Sequence, residues 1–288
     1  MKLAYYPGCS LSSTAREYGE STEAVARALD IELVQLPDWN CCGATSAHST
    51  SHALSLGLPA RNLAIAKRAG LDLMAPCAAC YNRFAATEHA VVNDTHTREL
   101  VGSLLGEEYT GGVKVLNLVT AIAACGEAAV TRRTVRPLKG IKVACYYGCL
   151  LVRPQEVTGH PDPEYPEEMD RLLAAAGAEP VDWAYKTECC GASLSLSRTD
   201  IVLKLSRDIL EAAREAGADC IATACPLCQT NLDMRQPKAL KMFKLNYRLP
   251  VFFFTQLLGL GFGLGPGELG LQRHSVDVMR FVRARRLA

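Results

Sequence analysis

The 288-residue sequence has no surplus of charge of either sign: 31 lysines and arginines face 30 aspartates and glutamates, for a net charge of +1. That balance excludes the extended basic face that nucleic acid or an anionic membrane calls for. The sequence also lacks the run of ~20 apolar residues that a spanning helix needs. Its most apolar stretch, "VFFFTQLLGLGFGLG" at 251–265, is interrupted by Thr255, Gln256 and four glycines, and is expected to be a buried helix end or a contact between subunits. The start, "MKLAYYPGCS", has a lysine but no uninterrupted apolar core, so no export signal and a cytoplasmic location are expected. Nucleotide fingerprints are missing as well. "GLGFGLG" at 259–265 comes late and opens no strand–turn–helix unit, and no flavin motif is present. The basic tail "RFVRARRLA" reads as a solvated end or a partner contact. At 49% hydrophobic and 21% charged residues, the chain has enough apolar material for one large or two medium domains.

What the sequence has in excess is cysteine, 13 in all. Without an export signal, clustered cysteines point to metal or redox chemistry rather than disulfides. Their positions repeat. Cys41, Cys42, Cys77 and Cys80 each recur 148 residues later, as Cys189, Cys190, Cys225 and Cys228. Cys9 recurs 140 residues later as Cys149, so the second copy holds eight extra residues, assigned to the loop "PQEVTGHPDPEYPEE". The flanks match too: "KLAYYPGC" with "KVACYYGC", "NCCGATS" with "ECCGASL", "MAPCAACYN" with "ATACPLCQT". Ten of the thirteen cysteines therefore form two copies of one five-cysteine pattern.

Each copy has one rhythm. A short strand, "KLAYY" or "IKVACYY", ends at Gly-Cys. A helix follows, with Ala24, Val25, Ala28 and Leu29 on one face and Ser21 as candidate N-cap in the first copy, and "EEMDRLLAAAGAE" in the second. Then come a short strand ("ELVQLP" or "EPVDWA"), the Cys-Cys-Gly turn, a longer helix, a buried strand ("LDLMAPC" or "DCIATAC") and Cys-x-x-Cys. Alternating strands and helices predict an α/β fold, here two tandem duplicated α/β domains with mostly parallel sheets. The expected boundaries are 1–130 and 141–288, the second domain carrying a C-terminal extension, with "CGEAAVTRRTVRPLKG" as the linker.

The cysteines fall at the carboxyl ends of the predicted strands, where open α/β sheets gather ligands. Gly43 and Gly191 after the paired cysteines permit a tight backbone that turns both thiols one way. Structural zinc needs only four N/S ligands, so five thiols exceed it, although zinc at one site stands as the alternative. A thioredoxin-like pair leaves Cys9, Cys41 and Cys42 unused. An iron–sulfur cluster uses all five. There is no C-x₂-C-x₂-C-x₃-C-P run, so an ordinary ferredoxin cubane is not indicated. Cys125 and Cys220 lie outside the repeat and read as buried, inert thiols.

The motifs "YYPGC", "NCCGA", "PCAACY", "CYYGC" and "FTQLLGLGFGL" resemble those of the heterodisulfide reductase B-subunit family, with its duplicated cysteine-rich CCG domain. The resemblance covers nearly the whole chain. The interval from the paired cysteines to Cys-x-x-Cys is one residue shorter than the family's usual pattern, which leaves the ligands intact. The resemblance implies two non-cubane [4Fe-4S] clusters at the domain interface. Cys9, Cys41, Cys42, Cys77 and Cys80 would hold the first, and Cys149, Cys189, Cys190, Cys225 and Cys228 the second. It further implies cleavage of a disulfide such as CoM-S-S-CoB between the clusters, with electrons from a ferredoxin-like C-subunit together with a flavin-containing A-subunit. Related subunits act on other thiols in sulfur-oxidising or thiol:fumarate reductase complexes, or serve as electron-relay or membrane-docking subunits. Cys145, where the first copy has Tyr5, reads as a core or supporting residue rather than a ligand. His48 and His52, just after the first Cys-Cys-Gly, are candidate proton donors.

Overall fold

The computed structural model describes residues 1–45 and 47–287. Among the described residues eight short strands form: β1 (Lys2–Tyr5), β2 (Glu32–Gln35), β3 (Leu73–Ala75), β4 (Val115–Asn117), β5 (Lys142–Tyr146), β6 (Glu179–Pro180), β7 (Cys220–Thr223) and β8 (Val251–Phe253). They build two four-stranded sheets of the same order, β2-β1-β3-β4 and β6-β5-β7-β8, and every pair is parallel. The inner strands β3 and β7 are buried throughout, as parallel strands covered on both faces must be. The fourth strand of each sheet escapes the sequence reading, which took β8 for part of a buried helix end and the stretch around β4 for helix.

The second edge strand is shorter than "EPVDWA" suggests. Pro180 has no N–H to donate, and the ladder gains only one more bond, from Val181 N–H to the Val143 carbonyl at 2.9 Å. Ser21 is not an N-cap. The helix runs Arg16–Ala28, because Glu17, Tyr18 and Gly19 are buried and tertiary packing extends the helix beyond its local signal. The linker is not a bare connection either. Glu127–Arg133 is a helix, packed on the helix Glu168–Ala175. The basic tail folds as the helix Val278–Ala284 and is tied to the linker: Arg285 Nη1 donates to the Gly140 carbonyl at 3.0 Å and Arg136 to the Leu287 carbonyl. The apolar stretch at 251–265 becomes β8 and the helix Phe254–Gly261, with Phe252, Phe253, Phe254, Leu257 and Leu258 all fully buried.

The two halves are interlocked. The helix Arg16–Ala28 of the first half lies on the helix Phe254–Gly261 that follows the fourth strand of the second. Reciprocally, Glu168–Ala175 of the second half lies on Leu118–Ala123, which follows the fourth strand of the first. One continuous apolar core results, running through both halves.

A buried ion pair supports the second half. Lys186 Nζ is 2.9 Å from Asp170 Oδ1, with side chains only 8% and 13% exposed. Asp170 Oδ2 also accepts from the Tyr147 hydroxyl at 2.7 Å. The Lys186 carbonyl accepts from Tyr147 N–H and Gly148 N–H at 2.9 and 3.0 Å, fixing the turn that leads to Cys149. Lys186→Met leaves a buried carboxylate without its cation and is expected to cost about 3–5 kcal/mol. The Lys186→Met, Asp170→Leu double variant should recover most of that loss. Denaturant midpoints decide: a single-variant loss below about 1 kcal/mol, the level of an exposed pair, contradicts the assignment.

Candidate functional site

The strand order brings the cysteines together. In each sheet the chain leaves the central strand toward one edge and later crosses to the other side, so the ends of β1 and β3, and of β5 and β7, flank a topological switch point. Cys9 follows β1, Cys41 and Cys42 follow β2, and Cys77 begins the helix Ala78–Asn93 after β3, with Cys80 in its first turn. Cys149, Cys189, Cys190, Cys225 and Cys228 take the same places around β5, β6 and β7. In each set two cysteines lie outward (Cys9 and Cys41; Cys149 and Cys189) and three are buried (Cys42, Cys77 and Cys80; Cys190, Cys225 and Cys228).

The glycines after the paired cysteines have the same backbone, φ +76° at both Gly43 and Gly191. Only glycine adopts it without strain. Added Cβ atoms would also stand 3.0 Å from Ala47 Cβ and from Leu205 Cδ1. The turn directs Gly43 N–H onto Cys41 Sγ at 3.4 Å and Gly191 N–H onto Cys189 Sγ at 3.3 Å. Two repeat-related tyrosines anchor the residue before each pair. Tyr6 donates to the Asn40 carbonyl at 2.9 Å, and Tyr146 to the Glu188 carbonyl at 2.6 Å.

The sulfurs touch. Cys42 Sγ is 3.1 Å from Cys80 Sγ, and Cys190 Sγ is 3.5 Å from Cys228 Sγ. Across the halves, Cys77 and Cys225 are close enough to shift each other's protonation, so the two sets approach at their buried ends. Protons are shared unequally. Hydrogen bonds from Cys41 and then Cys80 bring the Cys42 thiol down to about 3, while Cys41, as the donor, is pushed up. The bond from Cys149 brings Cys189 down to about 6, and Cys149 is pushed up. Cys228 and Cys77 together lower Cys225. The opposite holds for Cys77, Cys80 and Cys228, raised chiefly by their bonds to Cys225, Cys42 and Cys190 respectively.

All five cysteines of the second set line one cavity of about 230 Å³, whose wall from the first half includes Ala44, His48, Ala79 and Arg83. Among the described residues no three or more His, Cys, Asp or Glu side chains gather closely enough to hold a single metal ion. The second set surrounds a volume rather than a point, unlike the four-ligand tetrahedron of a structural zinc. Five soft donors around a cavity fit a multi-iron cluster.

Of the two candidate histidines, His48 borders the cavity; His52 is exposed at the start of the helix His52–Ala69, away from it. Cys145 lies within β5 and Cys220 within β7, both fully buried, while Cys125 stands half-buried with its thiol 4.0 Å from the Ala121 carbonyl; none of the three joins a set. Sequence reasoning missed Arg83 and Asn231. They are repeat counterparts, each three residues after the last cysteine of its set, a signal that inspection for cysteine alone passes over. Asn231 Nδ2 donates to the Cys190 carbonyl at 3.0 Å and lies 3.5 Å from Cys190 Sγ. Arg83 instead faces the cavity of the other half.

A family model described as "Cysteine-rich domain" (CCG) matches residues 3–85 and 143–233. The chain is 32% identical to the 8-methylmenaquinol:fumarate reductase membrane anchor subunit of Wolinella succinogenes, over 97% of this chain and 98% of that protein. It is 31% identical to the B-subunit of the ferredoxin/F(420)H(2)-dependent CoB-CoM heterodisulfide reductase of Methanosarcina acetivorans, over 98% of this chain and 96% of that one. A crystal structure of a hypothetical protein from Helicobacter pylori shares the fold, with a TM-score of 0.76 at 14% identity, over 95% of this chain and 51% of that one.

The Cys189 assignment has a direct check. A thiol brought down to about 6 by its Cys149 partner stays a thiolate as pH falls from 9 toward 6, where an ordinary thiol protonates. In the metal-free chain, alkylation at Cys189 followed by mass spectrometry should show its rate inflection near pH 6. Cys149→Ala should move the inflection back toward the ordinary thiol range. An unchanged inflection in that variant sinks the pairing.

Proposed function

This chain belongs to the heterodisulfide reductase B-subunit family of duplicated cysteine-rich CCG proteins, and on that premise we propose that it is the disulfide-cleaving subunit of a multi-subunit electron-transfer complex. One observation carries the reading: two five-thiol sets stand at the carboxyl edges of two sheets and approach each other at Cys77 and Cys225. Cys9, Cys41, Cys42, Cys77 and Cys80 would hold one iron–sulfur cluster, and Cys149, Cys189, Cys190, Cys225 and Cys228 the other. When bound, two clusters of the non-cubane [4Fe-4S] kind would supply a pair of one-electron centres for the two-electron cleavage of a sulfur–sulfur bond.

The chain's own residues do the rest. Burial of six of the ten thiols keeps water from the inner sulfurs. N–H groups of Gly43 and Gly191 and the amide of Asn231 donate to Cys41, Cys189 and Cys190, which stabilises negative charge on sulfur. His48 borders the cavity and would hold a proton there, and Arg83 would give that cavity a fixed positive charge. Neither a nucleotide motif nor an electron source lies in this sequence, so a ferredoxin-like C-subunit together with a flavin-containing A-subunit would fit as donors.

A second reading keeps the thiol sets and changes the assembly to a fumarate-reducing one, favoured by the likeness to the Wolinella succinogenes protein. Among the described residues no helix is long and apolar enough to cross a membrane. Val251–Phe253 and the helix Phe254–Gly261, the greater part of the apolar stretch, are core and offer no face to lipid.

Anaerobic purification with metal analysis tests the reading. About eight irons per chain are expected, four for each cysteine-ligated cluster, together with a paramagnetic state on oxidation that depends on added thiol. Two zincs and no iron would overturn it. Cys42→Ala should lose about half the iron; full retention contradicts the ligand assignment.

A further inference from the structure

Tyr18 is fully buried on the helix Arg16–Ala28, at the seam between the halves. Its hydroxyl lies 3.1 Å from the Ala224 carbonyl and 3.4 Å from the Pro76 carbonyl. These two residues come immediately before Cys225 and Cys77, the first cysteine of the Cys-x-x-Cys pair in each half. One donor therefore reaches the cysteine-bearing segments of both sheets, where the two sulfur sets approach each other. The ring cannot drift. It is stacked on Phe253, the last residue of β8, with centroids 4.0 Å apart and planes 4° from parallel. One helical turn on, Ser21 Oγ and Thr255 Oγ1 are 2.7 Å apart across the same seam.

We infer that Tyr18 is a positioning residue that sets the separation of the two cysteine sets and, with it, the electronic coupling between the centres they hold. The inference rests on the iron–sulfur reading of those sets. Other ties hold the halves together without touching the cysteine segments, among them Ser21 with Thr255 and Glu20 with Arg273. Tyr18 alone among the described residues hydrogen-bonds the residues preceding both Cys77 and Cys225. The reciprocal seam differs: Asn117 ends β4 where Phe253 ends β8, and among the described residues no tyrosine ring is stacked there. The clamp is one-sided, so the duplicated scaffold does not produce it by symmetry.

The test uses the full chain purified anaerobically with its iron. Tyr18→Phe keeps the ring and its stack and removes only the hydroxyl. It should retain the wild-type iron content, while the spin–spin splitting between the two centres shrinks and their midpoint potentials shift relative to each other. Disulfide turnover should fall on the order of 10- to 100-fold, the scale of a small misplacement of reacting groups. Ser21→Ala, which weakens the same seam one turn away, should leave splitting and potentials at wild-type values. Wild-type splitting and potentials in Tyr18→Phe overturn the inference, as does an equal change in Ser21→Ala or iron-loaded wild type without any splitting. Should Tyr18→Phe fail to load iron, Phe253→Leu frees the ring while keeping the hydroxyl, and the same spectra decide. A wild-type chain without iron sinks the proposed function instead.

Discussion

The packing of the helix Arg16–Ala28 on the helix Phe254–Gly261, and of Glu168–Ala175 on Leu118–Ala123, is what places ten sulfurs in one region. Each parallel sheet delivers its cysteines to its own carboxyl edge, and that much is local topology. The exchange of helices between halves then brings the two edges together, until Cys77 and Cys225 are close enough to shift each other's protonation. The cost of burying six thiols there is met by sulfur–sulfur and amide–sulfur hydrogen bonds rather than by ion pairs. A site with so many soft donors and so little opposing charge favours a cationic, thiophilic group over any small organic ligand.

Duplication makes the two halves alike in backbone and unlike in what surrounds the sulfurs. Tyr6 and Tyr146, Gly43 and Gly191 and the two strand orders match closely. Around them the symmetry fails. Asn231 serves the cysteines of its own half, while its counterpart Arg83 crosses to the other. The helix after the second Cys-x-x-Cys turns into a π-helical segment at Thr230–Met234, where the first half has an uninterrupted helix to Asn93. Such segments recur at functional sites because they re-aim side chains, and here the segment carries Asn231. Asp233, in the same segment, accepts from Ser275 and Val276 N–H at 2.8 and 3.0 Å, pinning the C-terminal extension that the first half lacks. The two cysteine sets are thereby given different surroundings, and surroundings of that kind tune what a set of ligands holds.

Much of this was legible in the residues. The four equal cysteine offsets, the matching flanks and the alternation of strand and helix pointed to two tandem parallel α/β domains, and the two sheets of order 2-1-3-4 are that architecture. What sequence misjudged were features whose cause is non-local. Ser21 has the chemistry of a cap, yet burial of Tyr18 carries the helix past it. The linker and the basic tail look like solvent-facing connectors, yet each folds into a helix and the two are tied together by Arg136 and Arg285. His48 and His52, four residues apart, look interchangeable; only the turn of one short helix against the next separates the one at the cavity from the one outside.

By itself the sequence determined the donor set. The count, spacing and repetition of the cysteines, with a glycine after each pair, depend only on covalent order and on the backbone freedom that glycine alone has. Only the tertiary structure decided which sulfurs lie inward, which share protons, and that the two sets meet. Those properties arise from contacts between residues 38 positions apart, such as Cys42 with Cys80, and across the seam between residues far more distant, such as Tyr18 with Ala224, and no local pattern encodes such distances.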